Sequence, residues 1–296
     1  MTIMRARPYL GTLVEIGARG AGADAAVETA CAAVARIHRL MSVHDADSEL
    51  SRVNREAARV PVAVGTDLWL VLKAAQALAQ ASGGLFDVGV GARLAALGLL
   101  PDHGMQFPAA VGDWRDLQLL PGRRVAFARP LYLDLGGIAK GYAVDVALQR
   151  LRDAGVAEAW VNAGGDLARF GAEPVLLQVR HPADPTCLVP LRSWRAGAAA
   201  TSAGYYAPRR NGMPQSPLID PRTGRPQILD RSITVLAATA LLADALTKVV
   251  ALDPARATPL LAAHGARAFI LEGRPDGDVA VFDSASACLP EEASHV

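Results

Sequence analysis

Between Asp134 and Asp145 the chain reads Asp-Leu-Gly-Gly-Ile-Ala-Lys-Gly-Tyr-Ala-Val-Asp, gathering a carboxylate, three glycines and a lysine around one junction. The apolar run from Leu131 to Leu135 reads as a strand, and after it Ile138, Val144, Leu148 and Leu151 recur at helical spacing. Gly136 and Gly137 then fall at a helix start, where free N–H groups and the helix dipole favour an anion. A junction of this kind suits a phosphate-bearing ligand.

Three other stretches mix glycine with carboxylates: Gly83 to Asp87, Asn162 to Asp166 and Asp220 to Gly224. Any one alone is an ordinary turn; four together suggest loops converging on a ligand. None has the spacing of a dinucleotide fingerprint or a P-loop. There is no H-E-x-x-H pair and no G-x-S-x-G elbow. His44 sits in a polar connector beside Asp45 and Asp47, where a solvated surface histidine is the default. Asp244 and Lys248 share one face of an otherwise apolar helix. As a plain intrahelical ion pair the two add only about 0.3 to 0.5 kcal/mol if exposed; on a largely buried helix a cleft with a phosphate or metal would satisfy both, and the two readings stand side by side.

Several elements must position these groups. Tyr9 to Ile16 alternates as a strand, and Val27, Cys31, Val34, His38 and Met41 mark a long helix after it. Ser42 to Asn54 is a polar connector with a short helix capped by Asp47 or Ser48. A second long helix starts at Thr66 and Asp67 and stops at Ser82 to Gly84. Pro121-Gly122 turns a hairpin, and strands follow at 159–161, 175–179, 188–191 and 233–236, with turns at Asn211-Gly212 and Asp220 to Gly224. A helix from about Ala240 and another capped by Asp253, with Pro254 at its first position, complete the set. Without regular βαβ alternation, the pattern favours α+β over a doubly wound sheet.

The net charge of +1 and the lack of a Lys/Arg cluster argue against a nucleic-acid surface. Cys31, Cys187 and Cys288 are odd in number and far apart, which suggests neither a disulfide framework nor a zinc site. Ile233 to Leu252 is apolar enough to raise a membrane span, but Asp244 and Lys248 interrupt it at about 2.5 to 3.5 kcal/mol each. A strand and a buried helix fit better, so no transmembrane segment is expected. Met1 to Arg7 leads into a strand-like segment with no apolar run, so the chain as written reads as cytoplasmic, and as periplasmic if the native N-terminus is longer.

In order, the blocks Tyr9 to Glu15, Met41 to Asn54, Gly84 to Asp87, Asp134 to Asp145, Val161 to Asp166, Ile219 to Gly224 and Ala243 to Leu246 resemble the ApbE-type FAD:protein FMN transferases nearly end to end. The resemblance implies one domain over 1–296, an α+β, T-fold-like unit of two intimate subdomains with FAD in the cleft. It implies transfer of FMN from FAD to a Thr or Ser hydroxyl of an acceptor flavoprotein, assisted by Mg²⁺, with release of AMP. Leu10, His44, Leu85, Phe86, Asp87, Asp134, Lys140, Leu218 and Ile219 would contact FAD. The Gly137 carbonyl, Asp244 and the residues one turn later would form the metal site.

Three positions depart from the family pattern. His44 stands where an aromatic residue usually stacks on the flavin nucleotide. Pro217 replaces the usual histidine, so the catalytic base is unassigned. Lys248 replaces the usual metal-binding Thr, and a protonated lysine does not coordinate Mg²⁺. Either Thr247 supplies the oxygen with Lys248 turned aside, or the ammonium takes over part of the metal's task. A flavin carrier or regulator, and an FAD pyrophosphatase, are the readings in which protein flavinylation has been lost.

Overall fold

A computed structural model describes residues 2–105, 112–204, 209–210, 213–214, 216–274 and 278–285. The expected turn at Asn211-Gly212 and the third cysteine, Cys288, lie outside the described residues. β1 (Thr2–Tyr9) and β2 (Thr12–Arg19) pair across Leu10 and Gly11, whose φ values of 57° and 71° make a type I′ turn. The expected strand over Tyr9 to Ile16 is corrected to the two sides of this hairpin. Val14 and Ile16 do face inward; their parity simply runs on through the turn.

Six more strands extend the sheet: β3 (Glu158–Ala163), β4 (Asp166–Phe170), β5 (Gly197–Ala203), β6 (Arg231–Ala237), β7 (Arg267–Gly273) and β8 (Val279–Asp283). All neighbours are antiparallel, and their spatial order follows the chain from β1 to β8. The helices enter as insertions into this meander, which makes the fold α+β. β4 and β5 carry weak strand signals, being short or rich in alanine, and neighbours on both sides hold them in the ladder.

Between β2 and β3 the chain forms α1 (Ala23–Met41), α2 (Glu49–Glu56), α3 (Thr66–Ala81), α4 (Gly91–Ala96) and α5 (Ala139–Asp153). Ser48 caps α2 by accepting from Ser51 N, and α3 stops at Ser82 with Gly83 at φ 63°. α6 (Ala240–Leu252) and α7 (Pro254–Ala263) lie between β6 and β7. Ile233 to Leu252 is thus a strand and a helix, and no helix among the described residues is long and apolar enough to cross a membrane.

The α1 stripe of Val27, Cys31 and Val34 packs with Val14, Ile16, Val161 and Leu148 in one core. A second core joins Leu68, Leu72, Leu85, Leu133 and Leu246. α5 lies between α1 and α6, and α6 rests on β5 and β6.

Leu131 to Leu135 is corrected from strand to an extended but unladdered segment. Its backbone is satisfied piecemeal: Asn54 accepts from Leu133 N at 2.8 Å and donates to Leu133 O at 3.0 Å, while Asp134 N donates to Val88 O at 2.8 Å. The apolar run reported burial, and Asn54 supplies what a neighbouring strand would have supplied.

Asp145 binds α5 to α6, accepting from Ala240 N at 2.7 Å and Leu241 N at 2.9 Å at the α6 N-terminus. Burial pushes its carboxyl up to about 6, against the two amides that favour the ionised form. A carboxyl raised on folding adds stability below its unfolded pKa and loses it as pH climbs through the folded value. Asp145→Asn cannot ionise, so the stability of wild type relative to this variant is expected to fall by roughly 2 to 3 kcal/mol from about pH 4 to about pH 7. Urea melts at each pH read this difference; a constant gap across the range would refute the assignment.

Candidate functional site

A cavity of about 360 Å³ opens where the α5 start meets β4, β5 and α6, a size typical of small-molecule sites. Leu85, Phe86, Asp87, Asp134, Gly137, Lys140, Leu218 and Ile219 line it, with Pro217 and Lys248. Seven of the nine residues expected to contact FAD therefore meet on one wall system. Leu10 and His44 lie outside that lining. Leu10 N donates to His38 Nδ1 at 3.3 Å in the β1–β2 turn, and His44 is exposed but within electrostatic reach of Asp134.

Two lysines and two carboxylates form the polar floor. Lys140 Nζ lies 3.0 Å from Asp166 Oδ2, 3.3 Å from Asp244 Oδ2 and 3.0 Å from Gly136 O. Lys248 Nζ lies 2.5 Å from Asp244 Oδ1, 3.0 Å from Thr247 Oγ1 and 3.1 Å from Ser202 Oγ. Gly141 N donates to Asp244 Oδ2 at 3.3 Å. Asp244 is fully buried, so the i,i+4 pair with Lys248 is no solvated surface bridge.

The electrostatics follow from this packing. Burial works against the charge of Lys140, but Asp166 and Asp244 outweigh it and hold the ammonium above the usual lysine range. Burial works likewise against Asp244, and Lys140 and Lys248 overcome it to hold that carboxyl low. Asp166 is pushed up to about 6 by burial and by the Asp244 charge. Asp87, which accepts from Gly89 N at 2.7 Å, is raised to about 6 by burial. Asp134 is also raised by burial, although it accepts from Gly136 N at 3.1 Å.

Local sequence explains the placement. Gly164 and Gly165, at φ 64° and 101°, turn β3 into β4 and aim Asp166 at Lys140. Asp166 belongs to the Asn-Ala-Gly-Gly-Asp block singled out in the sequence, but its role as partner of Lys140 becomes visible only when β4 lies beside α5. Ser202 had no sequence signal, being one hydroxyl at the end of an alanine-rich strand.

Of the residues expected to hold a metal, Asp244 and Thr247 meet at the Lys248 ammonium, and Gly137 lies beside the Lys248 side chain. Gly137 adjoins Lys248, since a Cβ on Gly137 would sit 3.3 Å from Lys248 Cε. Thr247 Oγ1 donates to Asp244 O at 2.7 Å and faces Ser202 Oγ at 2.7 Å. Mg²⁺ requires oxygens at about 2.0 to 2.1 Å in octahedral array, yet both Asp244 oxygens already face N–H donors and the Thr247 hydroxyl oxygen already faces Lys248 Nζ and Ser202 Oγ. No group of three His, Cys, Asp or Glu residues among the described residues could hold a metal. The residues present do not fit a resident Mg²⁺ at this place, and Lys248 is not turned aside.

The site is thus a cavity at a glycine-rich helix start in an antiparallel α+β fold, with Lys140 and Lys248 set among buried carboxylates. More specifically, residues 10–270 match the profile of the ApbE family, and the chain belongs to that family. It is 32% identical over 290 residues to the FAD:protein FMN transferase of Rhodobacter capsulatus, covering 91% of this chain and 55% of that protein. It is 32% identical over 224 residues to the Vibrio cholerae enzyme of the same name, covering 70% of this chain and 66% of that protein. The chain thus spans between half and two thirds of the length of these relatives. Among solved structures, the flavin transferase ApbE of Vibrio cholerae superposes with a TM-score of 0.80 at 27% identity, over 97% of this chain and 98% of that one. The ApbE protein of Thermotoga maritima gives 0.81 at 26% identity, over 95% and 96%.

Proposed function

We propose that this chain is an FAD:protein FMN transferase, passing FMN from FAD to a Thr or Ser hydroxyl of an acceptor flavoprotein and releasing AMP. The observation that carries the reading is the cavity itself, where Lys140 and Lys248 stand beside the α5 start and opposite apolar walls. The two ammoniums suit a pyrophosphate, and Leu85, Phe86 and Ile219 suit a flat ring system. The names of the Rhodobacter and Vibrio relatives support the same reading.

In this reaction the acceptor oxygen bonds to the FMN phosphorus, and the bond from that phosphorus to the bridging oxygen breaks. AMP leaves with the bridging oxygen, and the hydroxyl proton is released to the departing phosphate. Charge builds on the phosphoryl oxygens, which the Lys140 and Lys248 ammoniums neutralise. Pro217 offers no base, so the developing charge rather than proton abstraction is what these residues address. Leu10 and His44, outside the cavity wall, are assigned to the part of FAD that extends beyond it, with His44 stacking on a ring.

Incubation with FAD and a Thr-bearing acceptor flavoprotein tests the reading. AMP release with an acceptor heavier by one FMN is expected. FAD recovered unchanged, or cleaved to FMN and AMP with the acceptor unmodified, would overturn protein transfer.

A further inference from the structure

We infer that Lys248 is a built-in cation: its ammonium takes the position of a divalent ion beside Asp244 and lets the cavity bind the FAD pyrophosphate without one. This deepens the reading that the cavity takes FAD, and rests on it. Lysine has three N–H donors, and here each meets an oxygen, on Asp244, Thr247 and Ser202. Two of these acceptors, a buried carboxylate and a threonine hydroxyl, are hard oxygens of the type a divalent cation selects. The tripod is fixed from outside too. Thr247 gives its only proton to Asp244 O, so it can only accept from Lys248 and from Ser202.

Charge balance points the same way. Asp166 and Asp244 carry two negative charges, and Lys140 and Lys248 carry two positive ones. A divalent ion added to this floor would meet an ammonium already 2.5 Å from the buried Asp244 carboxylate. With threonine at 248 the floor would hold one net negative charge and a free oxygen, which is the condition a divalent ion fills. The side chain of Lys248 also remains 21% open towards the cavity, so its charge reaches a bound phosphate.

The test uses the whole chain in two arms. In the first, the free-ion electron paramagnetic resonance signal of Mn²⁺ is titrated with protein in the absence of FAD. Wild type is expected to leave the signal unchanged, and Lys248→Thr to remove one equivalent. In the second, FAD affinity is measured by equilibrium dialysis in EDTA and in Mg²⁺. Wild type should bind equally in both. Lys248→Met should lose about tenfold or more in affinity, with no recovery in Mg²⁺, and Lys248→Thr should recover in Mg²⁺ alone.

Stoichiometric Mn²⁺ binding by wild type, or wild-type FAD affinity that collapses in EDTA, would overturn the inference whether or not the variants fold. So would a folded Lys248→Thr that ignores the metal and binds FAD as wild type does. Failure of wild type to bind FAD under either condition would instead remove the FAD reading, and the Mn²⁺ arm would still report on Lys248.

Discussion

Asp244→Ala is expected to lower the unfolding free energy by about 3 to 5 kcal/mol, the range for removing one partner of a buried ion pair. Asp244 is fully buried, and its two oxygens hold Lys248, Lys140 and the Gly141 amide. Without it, Lys248 keeps only two hydroxyls, and Lys140 keeps Asp166 and the Gly136 carbonyl. Two ammoniums would then share the one remaining carboxylate, Asp166. Urea titration measures the loss, and FAD dialysis should show a parallel loss of binding as the lysines leave their positions. Asp244→Asn separates charge from shape, because it keeps an acceptor and the packing while removing the negative charge. A loss below about 1 kcal/mol for the alanine variant would place Asp244 among ordinary surface pairs and contradict the geometry.

The second large effect is expected at Gly141, on the face of α5 that meets α6. Alanine normally stabilises a helix interior by about 1 kcal/mol over glycine. Here a Cβ would collide with the Ala240 carbonyl oxygen and lie 2.5 Å from Ala240 C and 2.7 Å from Leu241 Cα. These are backbone atoms of the α6 first turn, already held by Asp145, so no rotamer change relieves the clash. Overpacking therefore outweighs propensity, and Gly141→Ala should destabilise by about 3 kcal/mol or more. Because the clash parts α5 from α6, it should also separate Lys140 from Asp244 and weaken FAD binding. Thermal melts decide the sign: a stabilised variant would mean that the two helices do not approach this closely.

Local signals carried much of this architecture. Ser48, Asp253 and Pro254 announced helix starts that are observed, and the glycines at 83 and 265 lie just beyond helix ends with positive φ. The glycine-rich blocks reach one cavity: three of them bring Asp87, Asp134 and Asp166 to its wall, and the block at 220–224 contributes Pro221, while Asp220 pairs with Arg222. What was not legible depended on distant partners. The buried segment at Leu131 looked like a strand because hydrophobic runs report burial, whereas its real partner is the Asn54 side chain, 79 residues away. β4 and β5 are held by the ladder rather than by propensity. Asp166 and Ser202 became site residues only once β4, β5 and α6 lay together, and the two readings of Lys248 separated only when its nitrogen had a position.

Lys140 joins the sequence motif, the buried carboxylates and the proposed ligand, so the most direct test of the account is FAD binding through it. Equilibrium dialysis of FAD should show saturable binding by wild type, displaced by AMP and FMN together more effectively than by riboflavin. Lys140→Met should bind at least about tenfold more weakly. Equal FAD binding by wild type and Lys140→Met, or no binding by a folded wild type, would contradict the claim that this cavity is a flavin dinucleotide site.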